Sequence, residues 1–326
     1  MIKKIIYILL FAMFCFQNIY GQDSQFSQFY SSPLYLGPSF AGGADQSRLI
    51  ANYRSQWVNL PQAYSTYAVS FDHFINKYNS GIGLIIMRDQ EGGIYNTTLA
   101  GLSYAYNIDV NQTLKIRPGL RASYYNRNVD YSELEFADAI YRDSPTSIET
   151  PKNEHINHYD FAFSLVAHTS NIWIGATGDH LLALNKQFAN DITYPSLKLS
   201  AYGGYRFQFA ERIRTNEKKY LSFTFFYKSQ AGFQQLDLGV NYEQEPFRIG
   251  LWFRGIPTFS NTADLNALVL LAGYSFKDIL INYSYDISMS RLLSATGGAH
   301  EISIAWRFNM GYEDKQKRAA LPCPDF

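Results

Sequence analysis

The chain is poor in cysteine, in charge and in long apolar runs. Its 326 residues include two cysteines, Cys15 and Cys323. Cys15 falls in a segment expected to be removed, and Phe14 before it argues against lipidation. Cys323 is then left without an intramolecular disulfide partner. Charged residues make up 17% of the chain, below the usual quarter, and 28 basic residues balance 28 acidic ones. A net charge of zero removes any global electrostatic case for nucleic acid. Past the N-terminus no stretch reaches 18 consecutive apolar residues. The richest, Ala267 to Gly273, has the length of a strand, which excludes a membrane-spanning helix.

Aromatic rings are abundant instead: 26 Tyr and 24 Phe bring aromatics to 17%. Such numbers suit a protein with two membrane interfaces, where amphipathic rings sit at the headgroups. The N-terminus indicates export. Lys3 and Lys4 precede one apolar run, Ile5 to Phe16, too short to span a bilayer, and a more polar stretch follows. Residues 1–21 read as a secretory signal peptide, with cleavage expected after Gly21 although Ile19 is not small.

From about Arg48 onward the chain alternates with period two. Ile302, Ile304, Trp306 and Phe308 oppose Glu301, Ser303, Ala305 and Arg307. Ile279, Ile281, Tyr283 and Tyr285 oppose Leu280, Asn282, Ser284 and Asp286. Successive strand residues face opposite sides of a sheet, so each segment has one apolar face and one small or polar face. About 14 such segments follow one another, most of them long enough to cross a bilayer at a tilt (roughly 9–11 residues). Alternate connections are short, as at Asn76–Asn79, Thr169–Ser170, Glu245–Pro246 and Lys277. Several of the others are long, as at Asn128–His155 and Ala183–Pro195. This is the length asymmetry of bacterial outer-membrane barrels, with short turns on the periplasmic side. The expected fold is therefore an all-β antiparallel barrel of about 14 strands over residues 48–310. A periplasmic or lumenal segment at 22–47 precedes it and a periplasmic tail at 311–326 follows. Pro118 lies inside the fifth strand and implies a bulge or a break.

Catalytic motifs are missing. No Gly-x-Ser-x-Gly elbow occurs. His300 and Glu301 are adjacent on a strand and face opposite sides. His155 and His158 are three apart, without a cysteine partner nearby, so no metal site and no cofactor are expected. Arg54, Arg121, Arg206, Arg254 and Arg307 should face the lumen and brace it against Asp72, Asp237, Asp286 or Glu301, since charge on the lipid face costs about 2–4 kcal/mol at the midplane. The aromatic segment from Gln25 to Tyr30 must bury its rings somewhere. Periodicity leaves three destinations open: a plug in the lumen, a site for another envelope protein, or an anchor at the membrane interface.

A family resemblance rests on particular residues. The opening Gln25-Phe26-Ser27-Gln28-Phe29-Tyr30-Ser31-Ser32-Pro33-Leu34-Tyr35-Leu36-Gly37-Pro38-Ser39-Phe40-Ala41-Gly42 resembles the N-terminal signature of the PorP/SprF membrane proteins of the Bacteroidetes type IX secretion system. The likeness continues in Asn52-Tyr53-Arg54-Ser55-Gln56-Trp57, Gly250-Leu251-Trp252-Phe253-Arg254, Tyr283-Ser284-Tyr285-Asp286, His300-Glu301-Ile302-Ser303 and Pro322-Cys323-Pro324. Gly37-Pro38-Ser39 departs from the more usual Asn-Pro-Ala. The resemblance implies a non-enzymatic outer-membrane component that supports secretion or surface attachment of proteins with a type IX C-terminal sorting domain, such as gliding adhesins. It implies those cargo proteins and other type IX components as partners, beside outer-membrane lipid. Phe26, Phe29, Tyr30, Pro33, Phe40, Pro322, Cys323 and Pro324 are the expected partner-binding residues, and Asn128–His155 is the expected cargo-side loop. The competing reading is a diffusion channel or hydrophobic-solute transporter.

Overall fold

The computed structural model describes residues 22–44, 46–131, 137–142, 154–184, 195–212, 217–256, 267–289, 296–310 and 321. Residues 1–21, read above as a signal peptide, lie outside these, as do Pro322, Cys323, Pro324 and most of the 128–155 loop. Within that loop a short helix, α3, covers Ala137–Tyr141.

The strands are β1 (Ser47–Gln56), β2 (Tyr64–Ile75), β3 (Ser80–Glu91), β4 (Tyr95–Tyr106), β5 (Ile108–Asp109), β6 (Lys115–Val129), β7 (Glu154–His168), β8 (Ile172–Asp179), β9 (Lys198–Arg212), β10 (Glu217–Gln230), β11 (Phe233–Gln244), β12 (Phe247–Ile256), β13 (Ala267–Phe276), β14 (Ile279–Ser288) and β15 (Ala299–Phe308). All belong to one sheet, in which each strand pairs with its sequence neighbours except that β4 pairs with β6 in place of β5; β1 pairs with β15. The two-residue β5 only prolongs the edge beside β6. Setting it aside, the 15-stranded sheet is a closed meander of fourteen long strands. Closure leaves no unpaired edge toward lipid, the condition for a spanning sheet.

Alternation decides which face meets lipid. Ile302, Ile304 and Trp306 are exposed on the outside, as are Phe161, Phe163 and Leu165, while Glu301, Ser303, Asp160 and Ser164 are buried in the lumen. Arg48 pairs with Asp72 at 3.0 Å, Arg54 with Asp286 at 2.9 Å and Arg121 with Asp179 at 2.6 Å. Arg206 meets Glu243 at 2.6 Å, and Arg254 meets Asp286 at 2.8 Å. Inward-facing cations thus brace the wall as their strand positions imply.

Pro118 does not interrupt its own strand, which pairs continuously with β7 from Lys115 to Val129. The break falls opposite it, where β4 ends at Tyr106 and β5 resumes at Ile108. A residue without an N–H leaves its neighbour nothing to accept at that register.

Candidate functional site: the lumen and its plug

Residues 22–43 do not stay outside the wall. They run through the lumen as a chain of short turns: a 3-10 turn at Phe29–Ser31, a helical turn α1 at Pro33–Leu36 and a 3-10 turn α2 at Pro38–Phe40. Pro33 and Pro38 each sit at the first helical position, where a missing N–H costs nothing, and the residue before each is held out of the helix. The result is compact but has no strand partner, so its backbone groups must be satisfied by the wall.

They are. Glu301 Oε2 accepts from the Ser27 N–H at 2.6 Å and Oε1 from the Gln28 N–H at 3.1 Å. Ser27 Oγ donates to Asp286 at 2.7 Å, and Gln28 Nε2 to Ser284 at 3.0 Å. Arg121 donates to the Leu34 carbonyl at 2.8 Å, and Thr177 to that of Leu36 at 2.9 Å. Arg117 donates to the carbonyls of Ser39 at 3.0 Å and Ala41 at 2.6 Å, and Asp72 accepts from the Gly42 N–H at 3.0 Å. The plug backbone approaches so closely at Gly81 and Gly119 that an added methyl would collide with Ala41 and Ser39.

The middle of the plug is aromatic. Phe29 stacks on Phe226 at 4.9 Å and meets Trp252 edge-on at 5.1 Å; Tyr30 lies 5.5 Å from the same indole. Trp252 is itself held by Asn241, which accepts from its Nε1 at 3.0 Å. Phe26 and Leu34 pack in a second cluster with Ile85, Met87 and Leu99. Lower down, Phe40 lies against Tyr202 at 5.6 Å and Trp173 at 6.3 Å. Leu321 closes this end, buried in the same cluster, its N–H donating to the Gly43 carbonyl at 3.1 Å. The space left beside Asp23, Phe26, Phe29 and Lys228 is about 30 Å³, room for a water or two.

The plug has a direction. Gly42 and Gly43 lie at the short-turn end, where β1 begins. Asp23 lies at the opposite mouth, among the ends of strands that lead into the long connections. Its carboxylate meets His180 Nε2 at 2.8 Å and Lys198 Nζ at 3.0 Å, and Gln230 Nε2 donates to it at 3.0 Å. His180 Nδ1 contacts Asp160 at 2.7 Å. Both ring nitrogens therefore face carboxylate oxygens, an arrangement that favours the imidazolium. Burial works against that charge, but the field of Asp23 and the bonds to Asp160 and Asp23 outweigh it and push the His180 pKa up to about 9. Burial likewise opposes the charge on Asp23, yet His180 and Lys198 hold its carboxyl well below the usual carboxylate range.

The residues expected from sequence to contact a partner thus divide. Phe26, Phe29, Tyr30, Pro33 and Phe40 come together inside the lumen, all buried, and in this conformation they present no side chain outward. Pro322, Cys323 and Pro324 fall outside the described residues. Glu301, Asp286 and Arg54 had been read as wall braces only; they also grip the plug. His180 and Asp160 carried no signal, since their partner Asp23 is remote in sequence. His155 is exposed while His158 is buried and stacked on Tyr125 at 4.9 Å, so the two do not share a face.

A closed barrel filled by an N-terminal aromatic signature agrees with the family comparison. The model of the type IX secretion system membrane protein PorP/SprF matches residues 18–306. The chain belongs to the PorP/SprF family. It is an outer-membrane protein, and its plug lies within the matched residues. No curated protein matches the chain. Among solved structures it has a slight likeness to the Ralstonia pickettii toluene transporter TbuX, with 11% identity over 86% of this chain and 94% of that one and a TM-score of 0.49. The Acinetobacter baumannii outer membrane protein Omp33 gives 10% identity, 81% and 99% coverage and a TM-score of 0.45. A Pseudomonas aeruginosa FadL homologue gives 14%, 86% and 94%, and 0.44.

Proposed function

We propose that this PorP/SprF protein is a non-enzymatic component of type IX secretion that supports the export or surface attachment of sorting-domain cargo, such as gliding adhesins, by holding it rather than conducting it. The observation that carries this reading is the filled lumen. A barrel of fourteen strands is already too narrow for a folded adhesin, and here its interior is occupied by residues 22–43, bonded to the wall at both ends. Cargo would then meet the mouth formed by the long connections, including the 128–155 loop. Other secretion components would meet the opposite mouth, where Leu321 leads into Pro322, Cys323 and Pro324. The buried rings of Phe26, Phe29, Tyr30 and Phe40, with Pro33, would serve a partner through the shape they give the plug. A diffusion channel requires a water-filled path, and the packing around Phe29 and Phe40 speaks against one.

The test is the surface proteome of a strain lacking this gene, with and without the gene restored. A few sorting-domain proteins should disappear from the surface, accumulate in the periplasm and return on complementation. An unchanged surface with altered uptake of small solutes would overturn the reading in favour of a channel.

A further inference from the structure

The mouth opposite the short turns contains a cavity of about 230 Å³. It is composite: Gln22, Ser24 and Gln25 of the plug form one side, and Trp57, Tyr64, Thr66, Asp89 and Glu91 of the wall form another. Asp89 and Glu91 are two apart on β3 and point the same way, into the lumen. Asp89 is 6% exposed and accepts from the Thr66 hydroxyl at 2.5 Å. The Glu91 carboxyl lines the same cavity.

What sets Asp89 apart is its charge environment. Among the described residues, the other buried carboxylates, Asp72, Asp160, Asp179, Asp237, Glu243, Asp286 and Glu301, each have an Arg, Lys or His nitrogen within 4.0 Å. Asp89 and Glu91 have none. Arg54 and Lys228 line the same cavity but turn to other acceptors, Arg54 to Asp286 and Glu301 and Lys228 to Gln25 at 2.6 Å, while Arg127 bonds Thr97 at 3.4 Å. A buried carboxylate without a counter-charge is costly, and the cost is removed when a cation enters. Trp57 and Tyr64, edge to face at 4.9 Å, supply an aromatic side to the same cavity, and ring faces attract organic cations. Two carboxylates offer too little for a calcium ion, which takes six to eight oxygens, and the described residues contain no cluster of three acidic, His or Cys groups fit for a metal.

We infer that this cavity is a receptor for the cationic side chain, lysine or arginine, of a polypeptide docking from outside the cell. The inference rests on the holding role proposed above and gives it a chemistry. The plug shares in the site, so its presence at the outer mouth contributes to recognition as well as to closure.

The test uses the full-length protein in detergent and fluorescence anisotropy of two dye-labelled tripeptides, Gly-Lys-Gly and Gly-Gln-Gly, with blocked ends. The lysine peptide should bind about tenfold more tightly. The double variant D89N/E91Q should bring it down to the glutamine level, while D109N, an exposed acid at the other mouth, should leave the difference intact. Heat-dependent gel mobility reports whether each variant has a folded barrel. Equal binding of the two peptides, or an undiminished preference in folded D89N/E91Q, would overturn the inference. So would calcium displacing the lysine peptide at micromolar concentration, which would make the site a metal site. These outcomes are independent of the surface proteome: a strain that strands cargo while the purified protein ignores lysine keeps the holding role and loses this site.

Discussion

Glu301 illustrates how a single inward position acquires two duties. It lies 3.5 Å from Arg54 within the wall, and it accepts the N–H groups of Ser27 and Gln28. Its inward direction and its pairing with an arginine could be read from period-two alternation. The amides it receives could not, because they come from more than 250 positions away in the chain and from a segment without periodicity. His180 is the same case at the mouth of the long connections, and it makes the plug's attachment there depend on pH. A histidine whose pKa rises from 6.5 to about 9 on docking contributes fully below pH 6.5, and the contribution is lost as pH rises through 9. Asp23, whose pKa falls on docking, contributes fully above about pH 4 and loses that contribution as pH drops through its lowered value. The attachment is therefore firmest between about pH 4 and 6.5. Limited aminopeptidase digestion of the purified barrel should remove Gln22 to Gln25 faster at pH 10 than at pH 6. H180Q should abolish this difference, and equal rates in the unaltered protein would show that the pair does not hold the segment.

At the scale of elements, strands and plug were not equally legible. Each strand repeats apolar and polar residues over ten or so positions, so its existence and its lipid face follow from the sequence alone. Only a detail shifted: the irregularity attributed to Pro118 sits across the ladder at Asn107. The segment from Gln25 to Phe40 has no repeat to read, which is why a plug, a partner site and a membrane anchor were all compatible with it. Its placement depends on shape: glycines at Gly81 and Gly119 that let its backbone touch the wall, and aromatic rings from β10, β12 and β9 that receive its own. If cargo is held outside, the plug has no need to leave. The Ser39 and Ser164 hydroxyls touch across the plug–wall contact, so S39C/S164C, made in a chain with Cys323→Ser, should lock the plug by a disulfide. The locked protein is expected to sustain cargo display at a level within about twofold of the unlocked control. Loss of display that returns on reduction would mean that the plug moves during secretion.

For the whole molecule, the meander closes through β1 and β15, which begins the wall and ends it at the same mouth. Residues 22–43 occupy the interior from that mouth to the other, and Leu321 returns to cover the end where they join the wall. Period-two alternation alone implied the cylinder; the state of the lumen emerged only from packing. A barrel filled in this way does not serve as a conduit. Ion conductance across a planar lipid bilayer tests it most directly. The full-length protein should insert without unitary current steps, and the folded variant G81A/G119A, whose added methyls deny the plug its seat, should show steps of a size typical of a narrow porin. Steady open-channel current from the unaltered protein would contradict the account.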